Sequence, residues 1–186
     1  MLIFLTIIIE RRLYMKATGV VRRIDDLGRI VIPKEIRRNF KINEGDSLEI
    51  FVESGNIILK KYSLMDDMVD MALSLVDIVY KTYKKNIIIT DKDKVLAASK
   101  EINKDYFDKE LSNIIKNKIE SRSELLSDNL SDIVVGVENN SSYFLIPILL
   151  NGDLLGSVIL IDNDINEENK NLVRFIVSIL IKKIEE

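Results

Sequence analysis

The sequence predicts two parts of different fold class. A small β-rich head with one short helix occupies residues 15–62, and a larger α+β body occupies residues 63–186. Three observations point there. The head reads as four short β-patterned runs in under 50 residues. The body reads as helix, antiparallel hairpins, helix. The charge changes sign at the junction: residues 15–62 hold ten basic and seven acidic side chains, residues 1–14 add +1, and residues 63–186 carry −7 of a total of −3. A basic module before an acidic one suits a polyanion-binding head on a body that leaves polyanions alone.

Composition removes whole classes of chemistry. The chain has 186 residues, 47% hydrophobic and 31% charged, a foldable composition. It contains no Cys and no His. Disulfides, thiolate metal sites, imidazole general bases and Ser/His or Cys/His nucleophile pairs are therefore excluded. No carboxylate, Lys, Tyr or Ser nominates a reaction in their place, so the expectation is a protein without catalysis, cofactor or metal.

Residues 1–9, MLIFLTIII, are apolar but far shorter than the ~20 residues a membrane span needs. Their charges, Arg11 and Arg12, follow the run instead of preceding it as in a signal peptide. We expect translation to start at Met15, residues 1–14 to be an upstream extension outside the fold, and no membrane association.

In the head, Ala17–Ile24 and Gly28–Ile32 are β-like. Pro33 opens a helix, where its missing N–H costs nothing. KEIRRNF makes about two turns, with Ile36 and Phe40 toward the core. Leu48–Val52 and Asn56–Lys60 form a hairpin through Ser54-Gly55. Such a unit buries a marginal core. Lacking disulfide and metal, it is expected to share that core with a second copy.

The stretch GRIVIPKEIRRNF holds Arg29, Arg37 and Arg38; Arg22 and Arg23 lie just before it. Cations near a helix C-terminus suit the dipole without any ligand, so Arg37 and Arg38 alone decide nothing. Five arginines within 17 residues, at strand ends, a loop and one helix, point to a surface that holds phosphate or base edges.

The segment Met15–Tyr62, above all TGVVRRIDDLGRIVIPKEIRR and the closing IILKKY, resembles the DNA-binding domain of the AbrB family of bacterial transition-state regulators. The resemblance implies a swapped-hairpin barrel, in which two chains interleave hairpins into one unit that binds double-stranded DNA. It implies DNA contacts at Arg22, Arg29, Arg37 and Arg38, with a basic residue at Arg23. Lys34 falls where relatives carry an apolar residue and is assigned at most a phosphate contact. Arg29 and Arg37 are the arginines expected to reach base edges. Antitoxins use a similar barrel, but they end in a short toxin-binding tail, whereas this chain continues for more than 120 residues. A toxin-neutralising antitoxin is the alternative reading.

In the body, LMDDMVDMALSLVDIVYKTY places apolar residues at 65, 68, 72, 75 and 79, widened by Leu64, Met71 and Ile78. The stripe fits either its own domain or, as we expect, a dimer helix continuing the head's symmetry. NIIIT and VLAAS form a hairpin, with Asp91 and Asp93 in the turn. Residues 104–119 are helical and Asp132–Val137 is a strand. YFLIPILL and LLGSVILID pair across Asn151-Gly152, which suits a type I′ turn. A last helix runs over 166–184, with Leu172, Val173, Ile176, Ile179 and Leu180 buried. Asp162, Asp164 and Asn166 suggest a calcium loop, but Glu167 and Val173 stand where Gly and Glu are needed, so they are assigned to a turn and helix cap.

This order, and the hairpin FLIPILLNGDLLGSVILID in particular, resembles a GAF domain, a sensor fold of bacterial regulators. Head and body together, Met15–Glu186, resemble sporulation regulators of spore-forming bacteria. That resemblance implies a homo-oligomeric cytoplasmic protein of the forespore or nucleoid. It forms a dimer through the head, with a tetramer through the GAF-like bodies left open. No residue selects a ligand, so the body is read either as an oligomerisation module or as the sensor of an unidentified small-molecule effector.

Overall fold

The computed structural model describes residues 19–128 and 131–185. Expectations for residues 1–14, and for the start of the first β-run at Ala17, lie outside the described residues. Contacts divide the chain into two compact units, one ending at Gly45 and one starting at Asp46.

In the first unit, residues 19–24 and 29–32 form no strand ladder. The two β-runs predicted there are not assigned as strands among the described residues. Val21 is 85% and Val31 73% exposed. Between them Asp25–Arg29 makes a tight turn, with Gly28 at φ 79°. Pro33 caps α1, Lys34–Asn39. The helix closes by a Schellman arrangement: Ile42 N–H donates to Arg37 O at 2.8 Å and Lys41 N–H to Arg38 O at 3.3 Å, with Lys41 at φ 52°. Ile36 is half-buried, but Phe40, predicted to face the core, is 68% exposed.

The second unit begins with β1, Leu48–Glu53, antiparallel to β2, Asn56–Lys61. Ser54 and Gly55 take φ 49° and 79°, the pair of positive angles a type I′ turn needs. The register pairs Ile50 with Leu59 and Val52 with Ile57, and all four are exposed. Lys61 ties the hairpin to the body, bonding Asp46 at 3.1 Å and Asp93 at 2.9 Å.

A 3-10 turn, Asp66–Met68, leads into α2, Val69–Tyr83. The five-stranded antiparallel sheet has the order β4-β3-β7-β6-β5, with β3 Asn86–Thr90, β4 Val95–Ala98, β5 Leu125–Ser127, β6 Tyr143–Leu150 and β7 Asp153–Ile161. Its two faces follow the period of two. Ile87, Ile89, Phe144, Ile146, Val158 and Leu160 face α2 and α5, Glu167–Ile184. Ile88, Tyr143, Leu145 and Ile159 face α3, Asn103–Tyr106, and α4, Asn113–Glu120.

Several expectations change here. The α2 stripe serves its own domain: Met65, Met68, Ala72, Val76 and Val79 are buried against the sheet, because covering a five-stranded apolar face requires both long helices. Val76 and Val177 are inside, whereas Leu75 and Ile179 are only half-buried. The helix predicted over 104–119 is two, because Asp108 at φ 58° turns the chain so that Glu110 and Leu111 can bridge to Lys94 and Val134. Ser112 then caps α4, accepting from Ile115 N–H. Asp132–Val137 makes only that single bridge, ended by Gly136 at φ 76°, and the edge strand is the unforeseen β5. The β6–β7 turn carries Asn151 and Gly152 at φ 51° and 90°, as the Asn-Gly pair predicts. Gly156 lies against Thr90, where a Cβ would stand 1.9 Å from the Thr90 carbonyl oxygen.

Arg174 on α5 grips Glu124 with two nitrogens, at 2.9 and 2.7 Å, joining the last helix to the approach of β5. This hydrogen bonding holds the Glu124 carboxyl below its ordinary range. A depressed folded-state pKa contributes stability above the unfolded value and loses it as pH falls through the folded one. The pair is largely exposed, so its contribution is small. Glu124→Gln is expected to lower Tm slightly at neutral pH. It should also make the fall in Tm from about pH 5.5 down to about pH 3 shallower than in wild type. Thermal melts of both proteins across that range check this.

Candidate nucleic-acid interface

The five arginines stand on three pieces of backbone. Arg22 and Arg23 end the first extended run, Arg29 leaves the turn, and Arg37 and Arg38 occupy the last turn of α1. All five are exposed. Arg22 Nη1 donates to the neighbouring Val21 carbonyl at 3.1 Å, a local contact that leaves the group at the surface. The Arg37 and Arg38 carbonyls receive the two closing bonds of α1, so the backbone carrying those side chains is fixed even though the side chains reach solvent.

Arg29 has a defined partner. Its Nε donates to Asp25 Oδ2 at 2.7 Å, and its backbone N–H to Asp25 Oδ1 at 2.7 Å. The same Oδ1 accepts from Leu27 N–H at 3.0 Å. The backbone N–H and then the guanidinium of Arg29 hold the Asp25 carboxyl below its usual range. Sequence reasoning counted Asp25 only as a charge. The readable signal was its spacing: Asp at the first and Gly at the fourth position favour a turn in which the Asp side chain bonds backbone two residues on.

In the body, the residues that suggested a calcium loop build structure instead. Asp162 accepts from Asp164 N–H at 3.1 Å and pairs with Lys85. Asn166 caps α5 through Asn169 N–H at 3.0 Å. Asp91 accepts from the Asp93 and Lys94 amides at 2.6 Å, the expected turn role. An open groove of about 370 Å³ between α2 and α5 is lined by Met71, Ser178, Ile179, Lys182 and Lys183, residues that select no particular ligand. No described helix is long and apolar enough to cross a membrane.

Comparison with known proteins decides the family. Residues 67–185 match the family model described as stage V sporulation protein T C-terminal, transcription factor. Stage V sporulation protein T of Bacillus subtilis (strain 168) is 40% identical over 178 residues, which is 92% of this chain and 100% of that one. The chain belongs to the stage V sporulation protein T family. Within this family member, residues 21–66 also match a model described as antidote-toxin recognition MazE, bacterial antitoxin. Transition state regulatory protein AbrB of the same organism is 58% identical over 50 residues, 27% of this chain and 52% of its own. The GAF domain/HD domain protein from Geobacter sulfurreducens superposes with TM-score 0.50 at 13% identity, over 67% of this chain and 99% of that one. That likeness shows the fold alone: the body of this stage V sporulation protein T relative is GAF-like.

Proposed function

We propose that this chain is a DNA-binding transcription regulator of sporulation that holds duplex DNA through Arg22, Arg23, Arg29, Arg37 and Arg38. One observation carries the reading: all five arginines are exposed within a segment similar to a transition state regulator. Phosphate contacts supply most of the affinity and make it fall steeply with salt. The antitoxin alternative is not favoured, because the similarity to stage V sporulation protein T runs over the body as well as the head. Nothing in this mechanism needs catalysis. The protein acts in the cytoplasm, at the nucleoid or in the forespore.

The working unit is a dimer. Ile50, Val52, Ile57 and Leu59 on the hairpin, and Val21, Val31 and Phe40 before it, are uncovered in one chain, and a second copy supplies their cover. Tyr62 is kept as the boundary between head and body; the two family matches meet a few residues beyond it, at 66 and 67. Ile78 and Phe175, exposed on α2 and α5, support pairing of the bodies through their first and last helices. An effector-binding body would instead raise Tm when its ligand is added.

Arg29 is assigned to base edges and Arg38 to phosphate. Arg29→Ala is then expected to reduce the preference for promoter over random duplex about tenfold, while Arg38→Ala weakens both about equally. Anisotropy titrations with the two duplexes read both numbers. Equal behaviour of the two variants removes the assignment.

A further inference from the structure

The turn that carries Arg29 is built by a single acid. Asp25 donates its backbone N–H to Arg29 O at 3.1 Å and accepts Gly28 N–H at its own carbonyl at 3.0 Å. Its side chain uses both oxygens, Oδ1 for the Leu27 and Arg29 amides and Oδ2 for Arg29 Nε. Residues 25 and 29 are thus joined through backbone and side chain alike. Gly28 meets nothing within 4 Å where a Cβ would lie, and its φ of 79° is what lets the chain turn back.

As an ion pair this contact contributes little to stability. The two side chains are 71% and 36% exposed, and such pairs are worth little in water. Its geometric consequence is larger. A guanidinium is planar, so holding Nε–H on Oδ2 holds the plane, and the Nη1 and Nη2 donors then form the outward edge. That edge is the fork that reads guanine O6 and N7. Asp25 also sets a negative charge beside a face built for phosphate, which weakens binding to every duplex alike. Only a duplex that offers Arg29 a matching base edge gains from the ordered fork.

We propose that Asp25 is a positioning residue that determines specificity, holding the Arg29 guanidinium ready for base readout at the expense of general affinity. This rests on the reading that Arg29 contacts bases.

Asp25→Asn separates the two roles of the side chain. The amide oxygen still accepts the Leu27 and Arg29 amides, so the turn persists, while the charge that grips Nε is gone. The probes are a duplex enriched from a random pool by the wild-type full-length protein and a shuffled duplex of the same composition. Asp25→Asn is expected to bind the shuffled duplex about 2- to 5-fold more tightly at low salt, and to lose about 3- to 10-fold in the ratio of enriched to shuffled affinity. A ratio that stays at the wild-type value while both affinities rise overturns the proposal and leaves Asp25 a turn builder. Asp25→Ser covers the case in which Asp25→Asn does not fold: its hydroxyl can still accept the backbone amides of the turn but carries no charge for Nε, so the same loss of ratio is expected, and an unchanged ratio overturns the proposal. Where both single variants fold, Arg29→Lys combined with Asp25→Asn should lose no more than either alone, and full additivity overturns the proposal. If the wild-type protein enriches no sequence from the pool, the base-contact reading itself fails. If it enriches one and Asp25→Asn keeps the ratio, only the positioning role fails.

Discussion

Replacing Arg37 and Arg38 together by alanine is expected to weaken duplex binding by about two orders of magnitude, with the melting temperature lowered by at most a few degrees. The helix carrying them does not depend on their side chains. Alanine is the better helix former, and α1 is closed by backbone bonds from Ile42 and Lys41 to the Arg37 and Arg38 carbonyls. The cost to the fold is the favourable interaction of two cations with the helix C-terminus, about 0.3–1 kcal/mol each at most. The cost to binding is larger, because the proposed dimer would lose four guanidinium groups. Each phosphate contact removed should lower the slope of log affinity against log salt by about 0.9. A double variant that binds with the wild-type slope would place these arginines in solvent and nothing more.

Gly156→Ala is expected to have the largest effect on stability. Gly156 lies on β7 where that strand passes β3, and an added Cβ would meet the Thr90 carbonyl oxygen at 1.9 Å, its carbon at 2.9 Å and Asp91 Cα at 3.0 Å. All three are backbone atoms, at the end of β3 and the start of the turn that follows it, so no rotamer change relieves the clash. The strands must separate, and the buried bond between Thr90 Oγ1 and Ser157 Oγ, 2.8 Å long, is strained with them. Overpacking in a close-packed core costs about 1–3 kcal/mol, and more where backbone must move. For a chain of this size about 3 kcal/mol corresponds to roughly 6–12 °C in Tm. Differential scanning calorimetry of the two proteins checks it. A fall of under about 2 °C would mean that β3 and β7 are spaced more widely than described here.

How much of this was legible in the sequence differs by element. The strong local signals were read correctly: Asn151-Gly152 between two apolar runs gave the β6–β7 hairpin, Ser54-Gly55 gave β1–β2, and Asn166 gave the cap of α5. Errors came where long-range contacts override a local pattern. Residues 104–119 are rich in helix formers, yet Leu111 is needed opposite Val134, so the helix breaks there. Three-residue β5 is too short to show any period, and its existence depends on the β6 edge it covers. The α2 stripe fits a partner helix and a flat sheet equally well, because spacing records which face is buried but not against what. At the interface the five arginines were visible as charges. Asp25 was hidden because its role is geometric: it depends on Gly28 folding Arg29 back onto its carboxylate.

The most direct test of the central claim is fluorescence anisotropy with sporulation-promoter duplex and a shuffled control, over a series of salt concentrations. The arginine face of a dimer predicts tight binding that prefers the promoter and falls steeply with salt. A well-folded dimer that binds neither duplex at low salt would contradict the claim.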